Sequence, residues 1–478
     1  MSARAGSKRL MAAFAAVGLL LAGCSSAIAG TAVKIGAAST TTTTTQQPPA
    51  EGPNGLKAGV ADPDLKVTDD AKTQYDDLAK KTIADLYVYY TSIFPTDFGQ
   101  PFTPAKELIS YDSNGNSNAC GVSLKDRVNA SYVSTCDTII WDRGVLMPKM
   151  TKEIGDLAVP TVLAHEMGHL VQARLAAPRT SVLLLEQQAD CYAGAYWRWV
   201  HDGNSKYFDL SAMAGLRQVI ASIMWVGDPV GLSSDNDGAH GSAFDRSFAL
   251  SLGYTNGAKR CNEITESEVQ ARIKQSGFTV LPKDFGNVAI SADFITKVTA
   301  TMDEYFSKTI PGYQKPTLAG YEGQIPPACN GTTPQFPVDY CPATNTVNYN
   351  LAELERIGTP TAGWASTNGD FSAMLLLASR YGLAAQAVNG ASVSGDQSGL
   401  RALCYAGTWA NWLRKPQGAD KLSLSPNDLN KAAYEVMSSP LPATDVNGNT
   451  STTVIDQVQA LHIGVIYDIN QCYSFYSS

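Results

Sequence analysis

The stretch Ala164-His165-Glu166-Met167-Gly168-His169-Leu170 holds an H-E-x-x-H string, and its reading decides the fold around it. On a helix, residues four apart share a face, so His165 and His169 can bind one metal ion. Glu166 then sits beside them, placed to act on a water molecule. Pro160 suits a first helical turn, which predicts a helix from about Pro160 to about Leu175, with Val162, Leu163, Leu170 and Val171 as its apolar positions. A catalytic zinc ion usually takes three protein ligands, so a third is needed. The candidate is Glu186, on the next predicted helix, in Glu186-Gln187-Gln188-Ala189-Asp190. Asp190 lies four residues on and shares its face, where it can accept a hydrogen bond from the free nitrogen of a ligating histidine.

Working outward, the same pattern occurs twice. Val162-Leu163-Ala164-His165-Glu166-Met167-Gly168-His169 aligns with Leu376-Leu377-Ala378-Ser379-Arg380-Tyr381-Gly382-Leu383. Cys191-Tyr192-Ala193-Gly194 aligns with Cys404-Tyr405-Ala406-Gly407, and Asp245, Gly253 and Cys261 keep the spacing of Asp456, Gly464 and Cys472. Cys120 and Cys136 correspond to Cys329 and Cys341. Two domains of one fold are therefore expected, at about 66–280 and 281–478, joined near Pro282-Lys283-Asp284. The second copy carries Ser379, Arg380 and Leu383 where the first has His165, Glu166 and His169, and Gly399 and Leu403 where the first has Glu186 and Asp190. It reads as a degenerate copy without metal ligands, kept to pack against the first domain or to bind something.

The repeat also suggests the disulfides. Cys120 would pair with Cys136, Cys191 with Cys261, Cys329 with Cys341 and Cys404 with Cys472, each within one domain. A mixed pairing such as Cys120 with Cys191 is the alternative. An even set of cysteines in an exported chain favours disulfides over metal or redox chemistry.

Export is expected from the first residues. Arg4, Lys8 and Arg9 precede an apolar run from Met11 to Leu21, too short to span a bilayer comfortably, and Leu21-Ala22-Gly23-Cys24 follows. Residues 1–23 read as a signal peptide, and the L-A-G-C ending resembles the bacterial lipobox. Lipid on Cys24 would then anchor the chain to a membrane from its extracytoplasmic face. Residues 24–65 are rich in Ala, Gly, Thr and Pro, with six threonines at Thr40 to Thr45. Such a composition buries too little apolar surface to offset the entropy of ordering and reads as a flexible stalk.

Loss of the signal peptide removes three positive charges and no acid, taking the formal net charge from −8 to −11. That balance speaks against a nucleic-acid partner, which needs a basic patch.

H-E-M-G-H, E-Q-Q-A-D-C-Y-A-G and the later His240-Gly241-Ser242-Ala243-Phe244-Asp245-Arg246 together resemble the bacterial neutral zinc metallopeptidase family. The resemblance covers most of residues 105–262. It implies an α+β fold of the gluzincin type, with a small antiparallel-edged sheet packed on the two metal-binding helices, followed by the degenerate copy. It also implies Zn2+ on His165, His169 and Glu186, Glu166 as general base, and Asp190 behind the ligands. His240 resembles the position that such enzymes use to stabilise the reaction intermediate, the alternative being an exposed loop histidine; Arg246 is read either as part of the layer behind the ligands or as a structural ion pair, with Asp190 as one candidate partner. Ile139-Ile140-Trp141-Asp142 is read as a strand, either a core strand or the edge that pairs with extended substrate. His201 and His462 have no such context and read as surface or core histidines.

The function implied is hydrolysis of a peptide or protein substrate outside the cytoplasmic membrane. Two other readings share these residues: a lipoprotein that binds or scaffolds around a structural or vestigial zinc site, and a zinc amidase acting on cell-wall peptides.

Overall fold

The computed structural model describes residues 52–176, 181–228, 240–276, 287–361, 368–388, 390–415, 422–425, 427–451 and 453–477. The signal peptide, Cys24, most of the stalk and the join at Pro282-Lys283-Asp284 lie outside the described residues.

The described chain is mixed helix and small sheet. In chain order its first part forms β1 (Gly55–Leu56), α1 (Gln74–Asp97), β2 (Glu107–Tyr111), β3 (Asn118–Ala119), β4 (Val122–Ser123), β5 (Ala130–Val133) and β6 (Thr138–Asp142). These are followed by α2 (Leu146–Glu153), α3 (Ala158–Arg174), α4 (Val182–His201), β7 (Phe208–Asp209), α5 (Ala214–Trp225), α6 (Ala243–Asn262) and α7 (Glu266–Ser276). The second part forms α8 (Ala292–Thr309), β8 (Thr317–Tyr321), β9 (Val338–Cys341), β10 (Thr346–Asn350), α9 (Leu351–Ile357), α10 (Asp370–Val388), α11 (Asp396–Arg414), α12 (Asp428–Ser438), α13 (Val454–Ile466) and α14 (Ile469–Phe475).

Two three-stranded sheets have one pattern. In the first the order is β2-β6-β5, with β6 parallel to β2 and antiparallel to β5. In the second the order is β8-β10-β9, with β10 parallel to β8 and antiparallel to β9. Ile139 to Asp142 thus lie in the central strand β6, which is buried along its length. Of the two readings of this stretch, the core strand is the one observed: both of its edges are paired, and the outer strands of the sheet are β2 and β5.

Local sequence sets the helix starts. Thr73 and Asp76 form a capping box on α1, Ser181 accepts from Leu184 N to cap α4, and Ser242 accepts from Asp245 N to cap α6. Helix α3 has no side-chain cap and is buried on nearly every face, because α1, α2, α4, α5 and β5 all pack against it. Glycines set how closely these helices approach. A Cβ on Gly168 would lie 2.7 Å from Ala189 Cα, which brings α3 against α4. A Cβ on Gly194 would lie 1.9 Å from Leu250 O, and one on Gly253 would lie 1.7 Å from Cys191 O, so α4 and α6 touch backbone to backbone.

The disulfides join Cys120 to Cys136, Cys191 to Cys261, Cys329 to Cys341 and Cys404 to Cys472. The second and fourth tie α4 to α6 and α11 to α14.

One continuous apolar cluster runs through both parts, from Leu86, Leu163 and Phe248 to Leu377, Val436 and Leu461. α5 and α6 of the first part meet α12 and α13 of the second. Among the described helices, α10 is long and apolar enough to cross a membrane, and it is almost wholly buried inside the protein.

Candidate active site

α3 and α4 bring His165, His169 and Glu186 together, with ligand atoms of all three within 4.8 Å of one another. Nε2 of His165 lies 3.2 Å from Glu186 Oε2, and Nε2 of His169 lies 3.3 Å from Glu186 Oε1. The histidines come from one face of α3 at i and i+4; Glu186 comes from the second turn of α4, across the contact that Gly168 permits.

The opposite nitrogen of each ring is engaged. Nδ1 of His165 is 2.7 Å from Asp190 Oδ1, a carboxylate, which accepts only. Nδ1 of His169 is 3.0 Å from Gln172 Oε1. The Gln172 amide is oriented by its own NH2 group, which donates to Leu185 O at 2.7 Å and to Gln188 Oε1 at 3.2 Å. Each ring therefore directs its Nδ1 proton outward, to Asp190 or to Gln172, and turns its Nε2 toward Glu186. The centre faces two imidazole Nε2 atoms and a buried carboxylate. Two imidazoles and a carboxylate converging in this way could hold a metal ion.

The charges behave accordingly. Burial alone would lower the His165 pKa, but Asp190 and Glu186 outweigh it and push the imidazole up to about 10. His169 is raised in the same way, against burial, chiefly by Glu186. Burial would raise the Glu186 carboxyl; the two histidines overcome it and hold the group well below the ordinary carboxylate range. Without a metal, protons on the imidazoles supply the positive charge that the carboxylates demand.

Behind the cluster, Arg246 of α6 clamps Asp190 with two bonds, Nε to Oδ2 at 2.9 Å and Nη2 to Oδ1 at 2.8 Å. Both side chains are fully buried, and Arg246 Nη1 also donates to Val226 O at 2.9 Å. Burial would raise Asp190, yet Arg246 and His165 keep its carboxyl below the ordinary value. It remains an anion that can orient His165.

A cleft of about 660 Å³ opens over this cluster. Glu166 borders it, and its Oε2 accepts from Tyr132 N at 2.9 Å. Tyr132 lies on β5, the outer strand, so this N–H points off the free strand edge into the cleft. His240 lines the same cleft with a side chain 49% exposed, its Nδ1 3.4 Å from Asp228 Oδ1. The Asp228 carboxylate raises its pKa against partial burial. The chain Asp235-Asn236-Asp237-Gly238 before it is outside the described residues. His201 is half-buried and bonded to the Tyr254 hydroxyl, away from the cleft; His462 is buried.

Sequence reasoning missed several contributors. Gln172 was visible only as the end of the repeated motif; its place three residues after His169, on the same helix face, is a local signal. The Tyr132 N–H, Val226 O and Asp228 carry no such signal, because their contacts with the site run through the tertiary fold.

No family model matches the chain, and no solved structure matches it. Three proteins named only as uncharacterized, one from Mycobacterium bovis and two from strains of Mycobacterium tuberculosis, are each 28% identical to it over 128 residues. The match covers 24% of this chain and 43% of each relative, so the chain spans less than half the length of the curated relatives it matches.

Proposed function

We propose that the chain is a zinc-dependent peptidase of gluzincin type, with His165, His169 and Glu186 as ligands and Glu166 as general base. The observation that carries the reading is the convergence of two imidazole Nε2 atoms on a buried carboxylate, with Glu166 beside them on the wall of an open cleft. When bound, zinc supplies Lewis-acid polarisation of the scissile carbonyl and lowers the pKa of a water.

The chain's own residues do the rest. Glu166, held at one oxygen by Tyr132 N, takes a proton from the attacking water and passes it to the leaving amine. The outer edge of β5, which no other described strand pairs, offers an extended peptide a strand beside the Tyr132–Glu166 contact. His240, on the rim of the cleft, donates to the oxyanion of the tetrahedral intermediate. Arg246 and Asp190 keep His165 in one tautomer throughout.

The second part of the chain is read as a duplicate that has lost its site. Its sheet has the same strand order and directions as the first. Arg380, in the place of Glu166, is buried and donates to Leu441 O and to Thr444 Oγ1. A Cβ on Gly399, in the place of Glu186, would lie 2.0 Å from Ala443 O. The backbone at 441–444 thus fills the space that a ligand side chain would need.

The resemblance of Leu21-Ala22-Gly23-Cys24 to a lipobox supports a lipid-anchored enzyme at the extracytoplasmic face of a membrane, and the proposed substrate is a peptide or protein. The test uses the chain from Ser25 onward, supplied with one equivalent of zinc and a mixture of unstructured peptides. Cleavage that a chelator abolishes, that zinc restores and that Glu166→Gln reduces by at least about a hundredfold supports the reading; a Glu166→Gln protein as active as the parent refutes it.

A further inference from the structure

The first turn of α6 is held by the second half of the chain. Phe244 N donates to Asn430 Oδ1 of α12 at 3.0 Å. The Phe244 ring stacks on the imidazole of His462 from α13, with centroids 3.8 Å apart, and His462 Nε2 lies 2.6 Å from Phe244 O. One turn on, Phe248 also stacks on His462 at 5.0 Å. Farther along α6, Gln459 of α13 donates to Ser251 O at 3.3 Å and to Thr255 Oγ1 at 2.7 Å. Phe244, Asn430 and His462 are all buried, so water replaces none of these contacts.

The first four N–H groups of a helix have no partner within it. On α6, Ser242 satisfies that of Asp245, and Asn430, from 186 residues away, satisfies that of Phe244. Arg246 follows in the same turn, its N–H bonded to Ser242 O, and its guanidinium carries the two bonds to Asp190 that orient His165. A metal site tolerates displacements of only about 0.5 Å in its supporting groups. The turn that carries Arg246 is therefore capped across the molecule.

We propose that Asn430 and His462, contributed by the half without ligands, are positioning residues for the metal centre: they clamp the first turn of α6 and so fix the chain Arg246–Asp190–His165. The second half is then a working part of the site rather than a remnant. This inference rests on reading His165, His169 and Glu186 as metal ligands.

The experiment measures zinc affinity by competition with a chromophoric chelator, and the visible spectrum of the cobalt-loaded protein, for the chain from Ser25 onward. Asn430→Leu is expected to weaken zinc binding by about tenfold or more and to change the cobalt bands, while Asn430→Asp, which keeps an acceptor, restores both. A folded Asn430→Leu protein with parental affinity and spectrum overturns the proposal, as does an Asn430→Asp protein impaired as severely as Asn430→Leu. If Asn430→Leu does not fold, His462→Phe, which keeps a stacked ring and removes the contact with Phe244 O, decides in the same way. A parent protein that binds neither metal overturns the metal-site reading itself, a result distinct from a parent and variants that bind equally well.

Discussion

Nδ1 of His165 and Oδ1 of Asp190 stand 2.7 Å apart in a fully buried contact, and the Asp190 carboxylate is gripped from its other side by Arg246. This pair sets which nitrogen of His165 faces the centre. Asp190→Asn keeps the shape and removes the charge that fixes the tautomer. It is expected to lower zinc affinity about 10- to 100-fold and, because it leaves the buried Arg246 without its counter-charge, to cost about 3–5 kcal/mol of folding stability. Chelator competition on parent and variant gives the ratio, and equal affinities would show that Asp190 does not orient the ligand.

Gly168 lies between the two histidines' helix and the helix of Glu186. A Cβ there meets Ala189 Cα at 2.7 Å and Ala189 O at 3.0 Å, which are backbone atoms that cannot rotate away. Gly168→Ala is expected to push α3 from α4 and cost about 1–3 kcal/mol, as overpacking does. Thermal denaturation of metal-free parent and variant checks this; an unchanged midpoint would mean that α3 and α4 are farther apart than described.

Glu435 of α12 is buried, 6% exposed, beside a second cleft of about 570 Å³. Burial pushes its carboxyl up to about 7, with Arg356 opposing in part. The ordinary value of 4.5 applies in the unfolded chain, so between about pH 4.5 and 7 the unfolded state releases a proton that the folded state retains. Stability from this group is therefore full below the unfolded pKa and is lost as pH rises through the folded one, by up to about 3 kcal/mol. Glu435→Gln should match the parent near pH 4 and exceed it near pH 8 in urea unfolding. A variant less stable than the parent at pH 8 would show that the ionised carboxyl has a stabilising partner.

The site was legible in the sequence to the extent that its chemistry is local or repeated. His165, Glu166 and His169 lie within one helical turn, and Glu186 and Asp190 share a face of the next helix, so helical periodicity alone groups them. The disulfide partners followed from the repeat, since each pair recurs at a matching offset. Strand order has no such local signature. The apolar run Ile139 to Trp141 is as compatible with an edge as with a centre, and only the pairing of β6 on both sides distinguishes them. The hold of Asn430 and His462 on Phe244 spans 186 and 218 residues. His462 in sequence is an isolated histidine in an apolar helix, and its role depends on which helix packs against it.

The central claim is that His165, His169 and Glu186 hold one zinc ion. It is tested most directly by anomalous diffraction at the zinc absorption edge, from crystals of the chain grown with one equivalent of zinc. A single strong anomalous peak is expected about 2.0–2.2 Å from Nε2 of His165, Nε2 of His169 and a Glu186 carboxylate oxygen. Zinc-saturated crystals with no peak among these three side chains, or with the ion held elsewhere, would contradict it.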